Sequence, residues 1–203
     1  NPSSPQKNQK QKRDTLSLWG KVLIATVPAG IIGLLFEEKI NALFYNPTTV
    51  AITLIVYGVG FIVVESQKRK GRIRSFAQMS ARTAALIGVF QVLALIPGTS
   101  RSGATILGAV MLGCTRTVAA EFSFFLAIPV MLGASGLKLI KYADLLVGPQ
   151  LLTLLVGTVV AFVVSLFAIR FLVKFIQTHT FKPFGYYRIV LGVAVLLYFY
   201  VLA

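Results

Sequence analysis

Side-chain chemistry is concentrated in one stretch of the chain, "IPGTSRSGAT", Ile96 to Thr105. Ten positions hold Pro97, Gly98, Gly103, the hydroxyl side chains of Thr99, Ser100, Ser102 and Thr105, and the guanidinium of Arg101. This set offers hydrogen-bond donors and a permanent positive charge, but no carboxylate, imidazole or thiol. It suits holding an anion, and the planar fork of arginine matches phosphate oxygens in particular. Pro97 breaks a helix and disfavours helix at Ile96. Gly98 and Gly103 allow positive φ and close backbone approach, and Ser102 or Thr99 can cap a helix that starts just beyond. The free N–H groups and positive dipole end of that helix would add to an anion site.

Other chemistries fit poorly. Gly98 to Thr105 has the spacing of a nucleotide P-loop, but Ala104 stands where the lysine is required and no strand precedes it. The single histidine, His179, lies in "IQTHTFKPF", expected as a solvated turn, so hydrolysis through paired histidines cannot be built from these residues. Cys114 has no second cysteine to pair with and reads as a small buried residue.

The elements that must position this stretch are membrane helices. The 203 residues are 56% hydrophobic and 13% charged, against about 25% charged in a soluble domain. Apolar runs at Gly20–Phe36, Val50–Glu65, Thr117–Ile140, Leu151–Lys174 and Tyr186–Val201 match the length of a bilayer crossing. Trp19, Tyr45, Tyr186 and Tyr187 fit interfacial belts. Residues 1–17 are polar, rich in Gln, Lys, Ser and Pro, and read as an unordered cytoplasmic linker ahead of a membrane domain over 18–203. They show no signal-peptide pattern.

The net charge of +14 excludes little until it is placed. Basic residues cluster before the first span, in the loop from Lys68 to Arg82, and around Arg170, Lys174 and Lys182. No aromatic side chains interleave them, so no nucleic-acid platform is expected. The positive-inside rule makes all three cytoplasmic. Residues 83–114 are too long for one crossing and too short for two. A single crossing would also put the basic regions on opposite sides. We therefore expect a re-entrant pair of half-helices, Ala84–Leu95 and Gly103–Gly113, with the polar stretch at its tip. Irregular backbone at that depth survives only inside protein or beside water. An arginine there costs at least about 2.5–3.5 kcal/mol, which points to function. The competing structural reading is an arginine that only pairs with Glu121 to hold helices together.

At these residues a family resemblance enters. "FQVLALIPGTSRSGATILGAVMLG" followed by "AAEFSFFLAIPVMLGA" resembles the C-terminal part of bacterial undecaprenyl-diphosphate phosphatases, the family tied to bacitracin resistance. "VPAGIIGLLFEEKI" and "FKPFGYYRIVLG" continue the resemblance over nearly everything after the polar tail. The resemblance implies an all-α polytopic inner-membrane protein of inverted-repeat architecture, with about five full spans and one re-entrant pair. It implies hydrolysis of undecaprenyl diphosphate to the monophosphate, recycling the carrier lipid of cell-wall synthesis. Bacitracin enters indirectly, through the shared polyprenyl diphosphate, and a homodimer stays open. A divalent cation, Mg or Ca, is implied as cofactor.

The family's first motif, Glu-x-x-x-Glu followed by Pro-x-Ser-Ser-x-Gly-His, has no match here and is expected upstream of Asn1. On that expectation these residues supply the phosphate-binding half of a site, hold no metal ligand and are inactive alone. Arg101 is the expected catalytic residue, clamping the diphosphate, with Gly98, Ser100, Ser102 and Thr105 as further phosphate-binding positions. Gln91 either lines the pocket or hydrogen-bonds between helices, and Glu121 either orients Arg101 or faces water. Phe122, Phe124 and Phe125 read as core or lipid contact. The rival function is a transporter or flippase of a polyprenyl phosphate lipid, since broken helices around a midplane anion site also build carriers.

Overall fold

The computed structural model describes residues 5–67, 71–143, 148–178 and 180–202. His179 and three residues of the basic loop (Lys68, Arg69 and Lys70) lie outside them. Among the described residues the chain is helical, with α1 over Pro5–Phe44, α2 over Pro47–Ser66, α3 over Ala81–Val92 and α4 over Arg101–Met111. α5 follows over Arg116–Lys141, α6 over Pro149–Thr178 and α7 over Lys182–Leu197, which closes in a π-helical turn, Tyr198–Leu202. α1, α2, α5, α6 and α7 are long and apolar enough to cross a membrane. The protein is an all-α polytopic membrane protein.

The two ends of α1 differ most from expectation. α1 continues beyond Phe36 to Phe44, because "EEKINALF" contains good helix formers and no breaker, and the connection shrinks to Tyr45 and Asn46. The Asn46 side chain accepts the Thr49 N–H at 2.8 Å, and Pro47 follows at the first helical position, so α2 starts at once. At the other end, α1 reaches back to Pro5 through residues expected to be unordered. Gln, Lys and Arg are favourable helix formers, and the extension from an apolar helix avoids a new nucleation cost.

α3 and α4 form the expected broken pair. Ser80 caps α3 at Thr83 N–H, and α3 ends in a tight turn, Leu93–Leu95, before Pro97. The two ends of the pair meet: the N–H groups of Arg72 and Ile73 donate to the Gly113 carbonyl at 2.8 and 2.9 Å, and Thr115 N–H donates to the Ile73 carbonyl at 2.9 Å. The hairpin thus leaves from and returns to one end of the assembly. Lys21 of α1 donates to the Phe76 carbonyl, and Arg116 of α5 forms an ion pair with Glu65 of α2, at that same end. Lys21 and the segment 72–82 are thereby brought to one end of the assembly.

The core lies between α1, α3, α4 and α5, where Met79, Ile87, Phe122 and Leu126 are fully buried. Phe76 packs its ring on Phe122 and Phe125, and Trp19 meets Phe125 edge to face. Phe122 is thus core, and Cys114 is buried too. α6 is apolar on all sides and exposed from Leu151 to Phe171, the pattern of a helix bathed in lipid. α7 packs on α2 almost backbone to backbone. A Cβ on Gly185 would sit 2.7 Å from the Gly58 carbonyl oxygen, and one on Gly192 2.8 Å from that of Ala51. Small residues at this spacing are how membrane helices approach closely.

Candidate functional site

The break between the half-helices is built by local sequence rules. Gly98 has φ +84°, and a Cβ there would meet the Val50 backbone of α2. Its neighbour Pro97 offers a carbonyl that accepts from Thr53 Oγ1 at 2.7 Å, docking the break on α2. Ser100, not Ser102 or Thr99, is the cap of α4: its Oγ accepts the Gly103 N–H at 3.3 Å. It does so at φ 65°, a conformation that costs a non-glycine residue about 1–3 kcal/mol and is retained where surroundings enforce it. The N–H groups heading α4 are thereby presented at the tip of the hairpin.

Arg101 is half-buried and follows that cap. Its Nη1 donates to the Ser123 carbonyl of α5 at 3.3 Å, which steers the guanidinium without neutralising it. Glu121, the other candidate partner, is only partly buried and forms no ion pair or hydrogen bond with Arg101. The pure helix-pairing reading of Arg101 loses its partner. The arginine instead lines a cavity of about 570 Å³ between α1, α3 and α5, together with Gln91. The lining continues to Glu37 and Asn41 on α1 and to Lys138 and Lys141 on α5, the ends opposite the basic loops. The cavity therefore lies toward the ends of α1 and α5 that are far from Lys21 and Arg116.

The other expected phosphate-binding positions separate. Ser100 and Ser102, 3.3 Å apart at their hydroxyls, line a different cavity of about 190 Å³, with Phe61, Phe181 and Arg188. Thr105 lies in neither cavity. Its Oγ1 donates back along α4 and meets Ser123 Oγ at 2.7 Å, so it is a seam residue between α4 and α5. Gly98 shapes the turn, and its carbonyl oxygen is engaged by protein.

That engagement comes from a residue the motif analysis did not single out. Arg188 of α7 donates through Nη2 to the carbonyls of Gly98 at 2.5 Å and Thr99 at 3.0 Å, and its guanidinium stands 5.9 Å from the Tyr57 ring. It lies on the same face of α7 as Gly185 and Gly192, which let that face reach α2 and the break. A signal was available: Arg188 is charged and sits inside an apolar span, as Arg101 does.

Gln91 is 2% exposed, and neither Nε2 nor Oε1 has a hydrogen-bond partner among the described residues. Each such group costs about 1–3 kcal/mol. For the implied divalent cation the fit is poor. Among the described residues no group of three or more His, Cys, Asp or Glu side chains comes together. The cavity at Arg101 offers one carboxylate, Glu37, among cationic and neutral groups. The described residues thus offer the cation no ligand set.

Comparison with known proteins agrees with this geometry. The family model described as "Bacitracin resistance protein BacA" matches residues 2–194. The chain is 57% identical over 202 residues to Undecaprenyl-diphosphatase 1 of Clostridioides difficile, covering 100% of this chain and 74% of that protein. It is 60% identical over 190 residues to the undecaprenyl-diphosphatase of Acetivibrio thermocellus, covering 93% and 70%. The Enterococcus faecalis undecaprenyl-diphosphatase is 54% identical over 196 residues, covering 94% and 71%. With its broken hairpin and the Pro97–Thr105 tip in place, the chain belongs to the bacitracin resistance protein BacA family.

Proposed function

We infer that the protein hydrolyses undecaprenyl diphosphate to undecaprenyl phosphate and inorganic phosphate, the activity its relatives are named for. This returns the carrier lipid to cell-wall synthesis and removes the diphosphate on which bacitracin acts. One observation carries the assignment of the site: Arg101, at the head of α4, faces a cavity large enough for a diphosphate head and the first part of its tail.

In the reaction water adds to the terminal phosphorus and the bond to the bridging oxygen breaks. That oxygen stays with the lipid phosphate. Negative charge builds on the bridging oxygen as the bond breaks. Arg101 is a fixed donor that meets this charge without reorganising. Ser123 holds the guanidinium from behind through its carbonyl. The apolar walls of the cavity strengthen these interactions by excluding bulk water. We place the protein in the bacterial plasma membrane, with the basic loops cytoplasmic and the Arg101 cavity facing the other side.

The test is phosphate release from undecaprenyl diphosphate by the full-length protein purified in detergent. Wild-type protein should turn over without a sealed membrane, whereas a flippase would need vesicles. Arg101→Ala should lose at least about 10²-fold in kcat. Arg101→Lys should also be impaired, because a point charge does not replace the fork. Near-normal turnover by either variant removes the clamp assignment.

A further inference from the structure

Gln91 is the one buried side chain at the Arg101 cavity with both polar atoms unengaged by protein among the described residues. An amide that served to join helices would spend those atoms on neighbouring elements, as Thr105 and Ser123 spend theirs on each other. Gln91 instead stands on the last turns of α3, within a helix whose backbone bonds are intact, and borders the same space as the arginine; its polar atoms are covered, so a turn of the amide brings them to a ligand there. Its chemistry complements Arg101. A guanidinium only donates, while a carboxamide donates through Nε2 and accepts through Oε1.

We propose that Gln91 is a ligand of the diphosphate head. Nε2 donates to a phosphoryl oxygen beside Arg101, and Oε1 accepts an O–H that Arg101 cannot bind, from a water or a protonated phosphate oxygen. The side chain remains uncharged, so it orients the head without adding to its electrostatic hold. Substrate binding completes hydrogen bonds that the folded protein leaves open, which makes Gln91 a device for recognising the head over the apolar tail. This proposal rests on the hydrolase reading above.

Gln91→Met keeps the length and removes both polar atoms, and replacing an unpaired buried polar group with an apolar one of similar shape is neutral or stabilising. In purified full-length protein it should leave Tm unchanged or raise it. It should lower kcat/KM for undecaprenyl diphosphate at least tenfold and weaken inhibition by inorganic pyrophosphate by a similar factor. Gln91→Glu should be more impaired at pH 8 and recover relative to wild type as pH falls toward 5. The protonated carboxyl offers one donor and one acceptor, as the amide does, while the carboxylate repels the head. Wild-type kcat/KM in Gln91→Met overturns the proposal. So does a drop in Tm that tracks lost turnover with pyrophosphate inhibition unchanged, since that marks a structural amide. Arg101→Ala in the same assay separates the two readings. Should wild type turn over and Arg101→Ala fail while Gln91→Met is normal, only this inference falls. Absence of wild-type turnover removes the hydrolase reading itself.

Discussion

Arg188 donates to the Gly98 carbonyl oxygen at 2.5 Å across ninety residues of sequence, tying the last span to the tip of the re-entrant hairpin. The bond fixes a turn whose residues at 98 and 100 both have positive φ. It thereby sets where α4 starts and where Arg101 points.

Arg188→Ala should therefore destabilise the protein by about 1.5–3 kcal/mol, the usual worth of hydrogen bonds to a charged group. Turnover should fall with it, because the cap of α4 is no longer held. Arg188→Lys should recover part of the stability, since an ammonium can still donate to one of the two carbonyls. Thermal unfolding in detergent checks this. Unchanged Tm and turnover in Arg188→Ala would sink the bracing role.

Gly98→Ala should be worse than its one methyl suggests. The left-handed backbone costs an alanine about 1 kcal/mol or more, and its Cβ would press on the Val50 backbone, which cannot swing aside. We expect lower yield and a reduced Tm. A variant of normal stability would show that the break does not dock on α2 as described.

Thr105 and Ser123 should couple. Thr105→Val leaves the Ser123 hydroxyl buried with its partner gone, for a loss of about 1–3 kcal/mol. Adding Ser123→Ala should then cost less than it does in the wild-type background. A double-mutant cycle in Tm measures the difference, and strictly additive losses would contradict the seam. A change confined to substrate KM would return Thr105 to the phosphate site.

Single cysteines report topology and the state of Cys114 together. Ser75→Cys and Thr180→Cys should label from one face of the membrane, and Tyr45→Cys from the other. Labelling of positions 75 and 180 from opposite faces would refute the re-entrant hairpin. Cys114 should remain silent, because burial pushes its thiol up to about 11. The reactive thiolate is thus scarce at pH 7–8 and should appear only as pH approaches 11. Rapid modification of wild-type protein at pH 7.5 would show that Cys114 is not buried.

The sequence by itself determined the five spans, the hairpin that returns to its own side, and Arg101 at the tip. The reason is that a bilayer acts locally. It demands about 20 apolar residues per crossing, internal backbone hydrogen bonding and cytoplasmic lysines and arginines, all countable along a chain. The helix ends were less legible: "EEKINALF" reads as loop by polarity and as helix by propensity, and the structure follows propensity. Only the tertiary structure decided how the motif divides. Ser100 and Ser102 face one cavity, Arg101 another, and Thr105 the seam with α5. Adjacent residues on a helix start point about 100° apart, so ten neighbouring positions cannot all line one space. Packing alone left Gln91 unengaged and brought Arg188 to Gly98; the glycines at 185 and 192 set how closely α7 approaches, and no local rule encodes that distance.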